Sequence, residues 1–121
     1  MSIDLSKNPR VSVVMASYNH APFVREAVES VLTQSYTDLE LVITDDGSSD
    51  DTAEIIRGIV DPRIRFGAFR DNRGACVAAN DAIARAHGEY VAVLSSDDYF
   101  LPGKLERQVS FLDSRSGIGA V

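Results

Sequence analysis

Four short apolar runs, separated by longer segments of helical period, constrain this chain more than any other feature. Residues 11–16 (VSVVMA), 39–44 (LELVIT) and 90–94 (YVAVL) are rich in Val, Ile and Leu and nearly continuous, the pattern of strands covered on both faces. Residues 63–66 (RIRF) alternate instead, as an exposed or edge strand does. Pro22 suits a first helical turn, and Val24, Ala27, Val28, Val31 and Leu32 follow on one face. Ser48-x-x-Asp51 reads as a capping signal ahead of Ile55, Ile56, Ile59 and Val60. Ala75, Ala78, Ala79, Ala82 and Ala86 form a thin stripe that lets a helix sit close to a sheet, with Gly88 as its stop. A last helix is expected from near Pro102, carrying Leu105, Val109 and Leu112.

The order β-α-β-α-β-α-β-α predicts an α/β fold: an open, mostly parallel sheet with right-handed crossovers and helices on both faces. The 121 residues fit one domain, 1–121. Residues 117–121 (GIGAV) read like the opening of another strand, so the expectation is a portion truncated at its C-terminus. A sheet stopping there would leave an edge open to a second copy, which makes a homo-oligomer an allowed state.

Composition removes several function classes. Eighteen acidic residues against 12 basic ones, with no Lys/Arg-rich run, argue against nucleic-acid binding, which needs clustered cations. One cysteine, Cys76, excludes an internal disulfide, and with only His20 and His87 beside it a thiolate–imidazole zinc site is not expected. No apolar run reaches the ~20 residues that cross a bilayer, and residues 1–10 are polar rather than signal-like. The expected location is cytoplasmic, at the cytoplasmic face of a membrane if attachment lies elsewhere.

In open α/β sheets ligands bind beyond the carboxyl ends of the strands. The first run is followed by Ser17-Tyr18-Asn19-His20, the second by Asp45-Asp46-Gly47-Ser48-Ser49-Asp50-Asp51, the fourth by Ser95-Ser96-Asp97-Asp98. Two acidic pairs are thus expected on one rim. Neighbouring carboxylates repel unless a positive charge lies between them, and Mg²⁺ or Mn²⁺ commonly takes one or two carboxylates with water and substrate phosphates. Such an ion stabilises charge growing on a departing diphosphate. An Asp away from it can accept from a base N–H, and Tyr18 offers a ring face for stacking. Asp-Gly-Ser-Ser is also ordinary turn chemistry, and Asp50 and Asp51 fit a first helical turn. Cys76 is expected in the core, His20 and His87 at a loop and a helix end, and Arg63, Arg65, Arg70 and Arg73 on a solvated basic face.

Taken together, residues 11–19 (VSVVMASYN), 30–36 (SVLTQSY), 39–52 (LELVITDDGSSDDT) and 88–98 (GEYVAVLSSDD) resemble glycosyltransferase family 2. The likeness covers about residues 10–113 in the expected order. It implies the Rossmann-like, nucleotide-sugar-binding half of a GT-A fold with strand order 3-2-1-4. It further implies inverting transfer from a nucleotide diphosphate sugar, usually a UDP-sugar, to an acceptor (glycan, lipid or protein) that the sequence leaves open. By this likeness Ser17 and Tyr18 fall where uracil and ribose are held, Asp46 where the base N–H is met, and Asp45 supports that loop. Asn80 matches an Asn of a family segment between the third and fourth strands. Asp97 and Asp98 match the metal and ribose carboxylates of the family's Asp-x-Asp region, with Mn²⁺ or Mg²⁺ as the ion and the choice between the two side chains open. Ser95-Ser96 stands where many relatives have Asp-Ser, Ala79 where they often have Arg, and Ser17 where Thr is commoner. Relatives continue into an acceptor region that carries the general base. No residue here is nominated for that role, and these residues alone are expected to be inactive.

Three other readings compete. A response-regulator receiver needs an acidic pair after its first strand, where this chain has Ser-Tyr-Asn-His. A dinucleotide-binding unit needs G-x-G-x-x-G there, which is also missing. A non-catalytic module that binds nucleotide sugar, or packs on a partner, shares every motif with the enzyme reading.

Overall fold

The computed structural model describes residues 8–114; the strand expected at residues 117–121 lies outside them. The chain alternates β1 (Val11–Ser17), α1 (Ala21–Leu32), β2 (Leu39–Asp45), α2 (Thr52–Arg57), β3 (Ile64–Ala68), α3 (Ala75–Arg85), β4 (Tyr90–Val93) and α4 (Lys104–Asp113). All strand pairs are parallel and the order is β3-β2-β1-β4. Parallel pairing puts every carboxyl end on one rim, and the chain reverses its direction of travel across the sheet between β1 and β4, where such folds open a crevice.

Burial follows the strand period of two. Val11, Val13 and Met15 of β1 and Leu39, Leu41 and Ile43 of β2 join Val24, Ala27, Val28 and Val31 of α1, Ile56 of α2, and Leu105, Val109 and Leu112 of α4 in the main core. The opposite face carries a smaller cluster of Val14, Val42 and Ala82, covered by α3. Helices therefore lie on both faces, as the near-continuous apolar runs imply. α3 is also fastened by polar contacts: Arg85 Nη2 donates to Ile43 O and Thr44 Oγ1, and Thr44 Oγ1 donates to Asp81 Oδ2.

Several sequence expectations need correction. Among the described residues β4 pairs with β1 alone, and it is less covered than β1 or β2: Val91 packs partly buried against the smaller cluster, but Val93 is 61% exposed. The α2 helix ends at Arg57, before Val60, which is 96% exposed. Ser48 and Asp51 form no capping box, because Ser48 Oγ donates to Asp45 instead. Asp50 takes the helix start, accepting from the backbone N–H and hydroxyl of Thr52. On α3 only Ala78 and Ala82 of the stripe are buried, and Cys76 is exposed rather than in the core. Gly88 does not end α3, whose C-cap is Ala86. It is needed for close approach, since a Cβ there would lie 2.5 Å from the Ser12 amide nitrogen.

At the rim's opposite end, Glu40 is 3% exposed. Its Oε2 accepts from Ser12 Oγ and the His87 N–H. Arg65 Nε lies 2.7 Å from Oε1, near enough to balance the charge though out of line for a hydrogen bond. Arg65 is therefore occupied far from the rim. So is Arg63, whose backbone N–H and Nε donate to Asp61 Oδ1 and whose Nη2 donates to Leu32 O.

Two stability predictions follow from this packing. Met15→Ala, at a fully buried site, is expected to cost about 2–5 kcal/mol, and Val60→Ala less than about 0.5 kcal/mol, in urea unfolding; equal effects would contradict the burial assignment. The Arg63 side chain, with its backbone N–H, holds the Asp61 carboxyl below the usual carboxylate range despite partial burial. A depressed folded-state value gives stability that is present above the unfolded pKa, about 3.9, and is lost as pH falls through the folded one. Asp61→Asn should therefore flatten the decline of urea midpoints below about pH 4, and an unchanged decline would show that the pair contributes nothing.

Candidate nucleotide-sugar site

The loop after β1 is the centre of the rim. Asn19 has a left-handed backbone, φ 50°, a conformation that Asn tolerates better than most residues. That turn aims its Oδ1 at the β2–α2 loop, where it accepts from the Ser49 N–H at 2.8 Å and the Asp50 N–H at 3.4 Å. Its own N–H donates to Ser48 Oγ. His20 follows as the N-cap of α1, yet its side chain makes no cap hydrogen bond. The ring reaches across to β4 instead, with Nδ1 2.6 Å from Ser96 Oγ and Nε2 3.9 Å from Asp97 Oδ2. Adjacent residues thus tie β1 to the acidic loop on either side.

Asp45 and Asp46 end β2 almost fully buried, at 1% and 2% exposure. Burial of a carboxylate is tolerable only when donors replace water, and both have them. Asp45 accepts from Ser17 Oγ, Ser48 Oγ and the Ser48 N–H. Asp46 reaches the β3–α3 loop, accepting from Arg73 N–H at 2.7 Å, Asn72 Nδ2 at 2.9 Å and Gly74 N–H at 3.0 Å. Gly47 between the two loops has φ 70°, and a Cβ there would meet the Asp71 carbonyl carbon at 2.5 Å. Only glycine fits that crossing.

The turn after β4 is held from α1. Asp98 N–H donates to Ser95 O, Phe100 N–H to Ser30 Oγ, and the buried Gln34 spans Leu101 O and the Leu105 N–H at the start of α4. Ser96 is buried, whereas Asp97 and Asp98 are exposed. The Ser95 hydroxyl, with a smaller contribution from His20, lowers the Asp97 carboxyl pKa against the opposing effect of desolvation. Asp97 thus stays ionised at neutral pH.

The residues singled out in the sequence separate into groups. Ser17 is fully buried and its hydroxyl is directed at Asp45; it supports the rim from beneath. Tyr18 is 43% exposed, and among the described residues nothing hydrogen-bonds to its hydroxyl. Asn80 is exposed on α3, and no hydrogen bond joins it to either acidic pair. Arg73 lies over the Phe69 ring at 4.7 Å. Sequence reading set Asn19, His20 and Ser96 at strand ends but gave no site role to them or to Asn72, Gly74, Ser30 and Gln34. The Asp71-Asn72-Arg73-Gly74 run is a turn signal, but nothing in the letters points to Asp46 as its anchor.

A divalent cation can be tested on the donor set. Among the described residues no group of three or more His, Cys, Asp or Glu is placed to hold a metal. The exposed Asp97 and Asp98 could supply one or two hard oxygen ligands, a set that fits an ion completed by water and a diphosphate better than an all-protein cage.

Replacing Asp46 by Asn would turn an amide N–H₂ against donors that now meet a carboxylate. Asp46→Asn is expected to lower stability by about 1–3 kcal/mol, and undiminished stability in urea would contradict the anchoring role.

Comparison with known proteins places these features. A family model described as Glycosyl transferase family 2 matches residues 12–120. A Bacillus subtilis (strain 168) protein named for teichuronic acid biosynthesis as glycosyltransferase TuaG is 44% identical over 110 residues, covering 89% of this chain and 44% of that one. This chain therefore spans less than half the length of that relative. Among solved structures, S. aureus TarS 1–349 in complex with UDP-GlcNAc superposes with a TM-score of 0.79 at 28% identity, over 87% of this chain and 31% of that one. The mannosyltransferase PcManGT from Pyrobaculum calidifontis, in complex with GDP-Man and Mn²⁺, gives a TM-score of 0.79 at 29% identity, over 92% and 34%. With its sheet order, its rim of strand-end loops and this match across nearly all of its length, the chain belongs to glycosyltransferase family 2 and has the fold of GT-A glycosyltransferases.

Proposed function

We propose that residues 1–121 form the donor-binding portion of an inverting glycosyltransferase that takes a UDP-sugar together with Mn²⁺ or Mg²⁺. The observation that supports this reading is the joining of the loops after β2 and β4, which carry the two acidic pairs, to the loop after β1, which carries Tyr18. Tyr18 stacks on the base. A carboxylate has about four acceptor sites, so the three donors already on Asp46 leave one for the base N–H. Ser17 and Asp45 keep that loop in shape, and Asn80 lies along the donor's path from α3. Asp97 and Asp98 hold the cation and the ribose. When bound, the cation offsets charge on the departing diphosphate. TarS, crystallised with UDP-GlcNAc, supports the uridine choice, and PcManGT, crystallised with Mn²⁺, supports the metal. The acceptor hydroxyl must lose its proton to a group within hydrogen-bond reach, and no described residue is assigned to that step.

No described helix is long and apolar enough to cross a membrane. A cytoplasmic setting suits the reading because nucleotide sugars are the substrates.

Calorimetric titration with UDP tests the reading. Saturable binding in Mn²⁺ that weakens on chelation is expected, and Asp97→Asn, an exposed site with little role in folding, should weaken it by about tenfold or more, the ~1.4 kcal/mol expected for loss of a charged ligand contact. The same titration of Asp98→Asn decides which carboxylate matters more to the ion. No UDP-dependent heat with Mn²⁺ present would remove the donor-site assignment.

A further inference from the structure

His20 is the residue at the rim to which the donor-site reading gives no role of its own. As the N-cap of α1 it occupies a position usually given to Ser, Thr, Asp or Asn because their side chains bond the first helical N–H groups. Its side chain does none of this. The backbone is fixed in three places, with its N–H on Thr52 Oγ1 and its carbonyl accepting from the Phe23 and Val24 N–H groups. The ring is fixed too, edge-on to Phe23 with centroids 6.3 Å apart. A side chain so constrained is pre-organised, and it reaches residue 96, in a loop 76 positions away.

The receiving group is informative. Ser96 is 1% exposed, and among the described residues its hydroxyl has no hydrogen bond besides the one shared with His20 Nδ1 at 2.6 Å. A proton on Nε2, the nitrogen facing Asp97, leaves Nδ1 to accept from that hydroxyl. The backbone of Ser96 lies between Ser95, whose carbonyl closes the turn by accepting from the Asp98 N–H, and Asp97. Fixing Ser96 therefore fixes the Cα positions from which two exposed carboxylates project. Downstream, Ser30 and Gln34 pin residues 100, 101 and 105. Upstream of Phe100, His20 makes the side-chain ties from the β1–α1 segment to the acidic turn among the described residues, its hydrogen bond to Ser96 and the longer 3.9 Å approach of Nε2 to Asp97.

We propose that His20 is a positioning residue, bracing the acidic turn through Ser96 so that Asp97 and Asp98 meet a divalent cation carried by a nucleoside diphosphate. This rests on the donor-site reading, and it asks of His20 no contact with base, sugar or metal. The brace acts on the cation-dependent part of binding and spares the part contributed by Tyr18, and by Asp46, which is held from the β3–α3 loop instead.

The test uses the full chain with His20→Ala, His20→Asn and Ser96→Ala. UDP titrated with Mn²⁺ should bind His20→Ala and Ser96→Ala about tenfold more weakly than wild type, while UDP with chelator binds all variants within about twofold. His20→Asn, which keeps a polar atom near the Nδ1 position, should recover most of the loss. A merely structural role would lower both affinities together, along with Tm, and that result overturns the proposal, as does unchanged affinity in Mn²⁺. Amide hydrogen exchange on the unliganded protein decides the brace independently of any ligand: the Asp98 N–H should exchange faster in His20→Ala, and unaltered exchange overturns it. If wild type binds no UDP, the donor-site reading fails and the exchange result still stands for or against the brace.

Discussion

The rim depends on hydrogen bonds sent in opposite directions by two adjacent residues. Asn19 turns toward the loop after β2 and His20 toward the loop after β4. Strand order makes this possible, because β1 lies between β2 and β4. Burial of β1 in turn anchors the loop at its end: its Val and Met side chains are enclosed on both faces of the sheet. A loop leaving an edge strand could reach only one neighbour. The apolar core and the polar rim are thus one construction, with packing energy fixing where a few polar groups stand.

The acidic residues divide by what surrounds them. Asp45 and Asp46 are buried and encircled by N–H and O–H donors, so their charges mainly organise the protein's own loops, with one acceptor site of Asp46 left over. Asp97 and Asp98 are exposed, so theirs are available to a ligand. This division of labour suits a site that binds a polyanion with the help of a cation. Carboxylates left bare beside a diphosphate would repel it, whereas the inward pair already has its field offset by donors. At the far end Glu40 solves the same burial problem with Arg65, Ser12 and the His87 amide, which keeps Arg65 away from the rim, as Asp61 keeps Arg63.

Much of the fold was legible because β1 and β2 are so uniformly apolar that their burial on both faces follows directly. The helical stripes of α1 and α4 were equally plain, and Val24, Ala27, Val28, Val31, Leu105, Val109 and Leu112 are all buried. Reading failed where a residue's neighbours come from elsewhere in the chain. Val60 continues the period of α2 but lies beyond its end, and Cys76 falls on an Ala stripe of which only Ala78 and Ala82 are fully buried. Gly88 looks like a helix stop and is instead a close approach to Ser12. The acidic pairs could be placed at strand ends from their position alone, but which were enclosed could not, because the donors on Asp46 come from residues 72–74. His20 was the hardest case: a histidine at a helix start carries no local sign of a partner 76 residues on.

The central claim is that the loops after β1, β2 and β4 form one binding surface, and amide chemical shifts followed while UDP and diamagnetic Mg²⁺ are added test it most directly. The account predicts that shifts concentrate at Tyr18, Asn19, Arg73, Gly74, Asp97 and Asp98 and leave Glu40, His87 and Gly88 at the opposite end unmoved. Shifts centred on that opposite end, or on one acidic loop with the other silent, would contradict it.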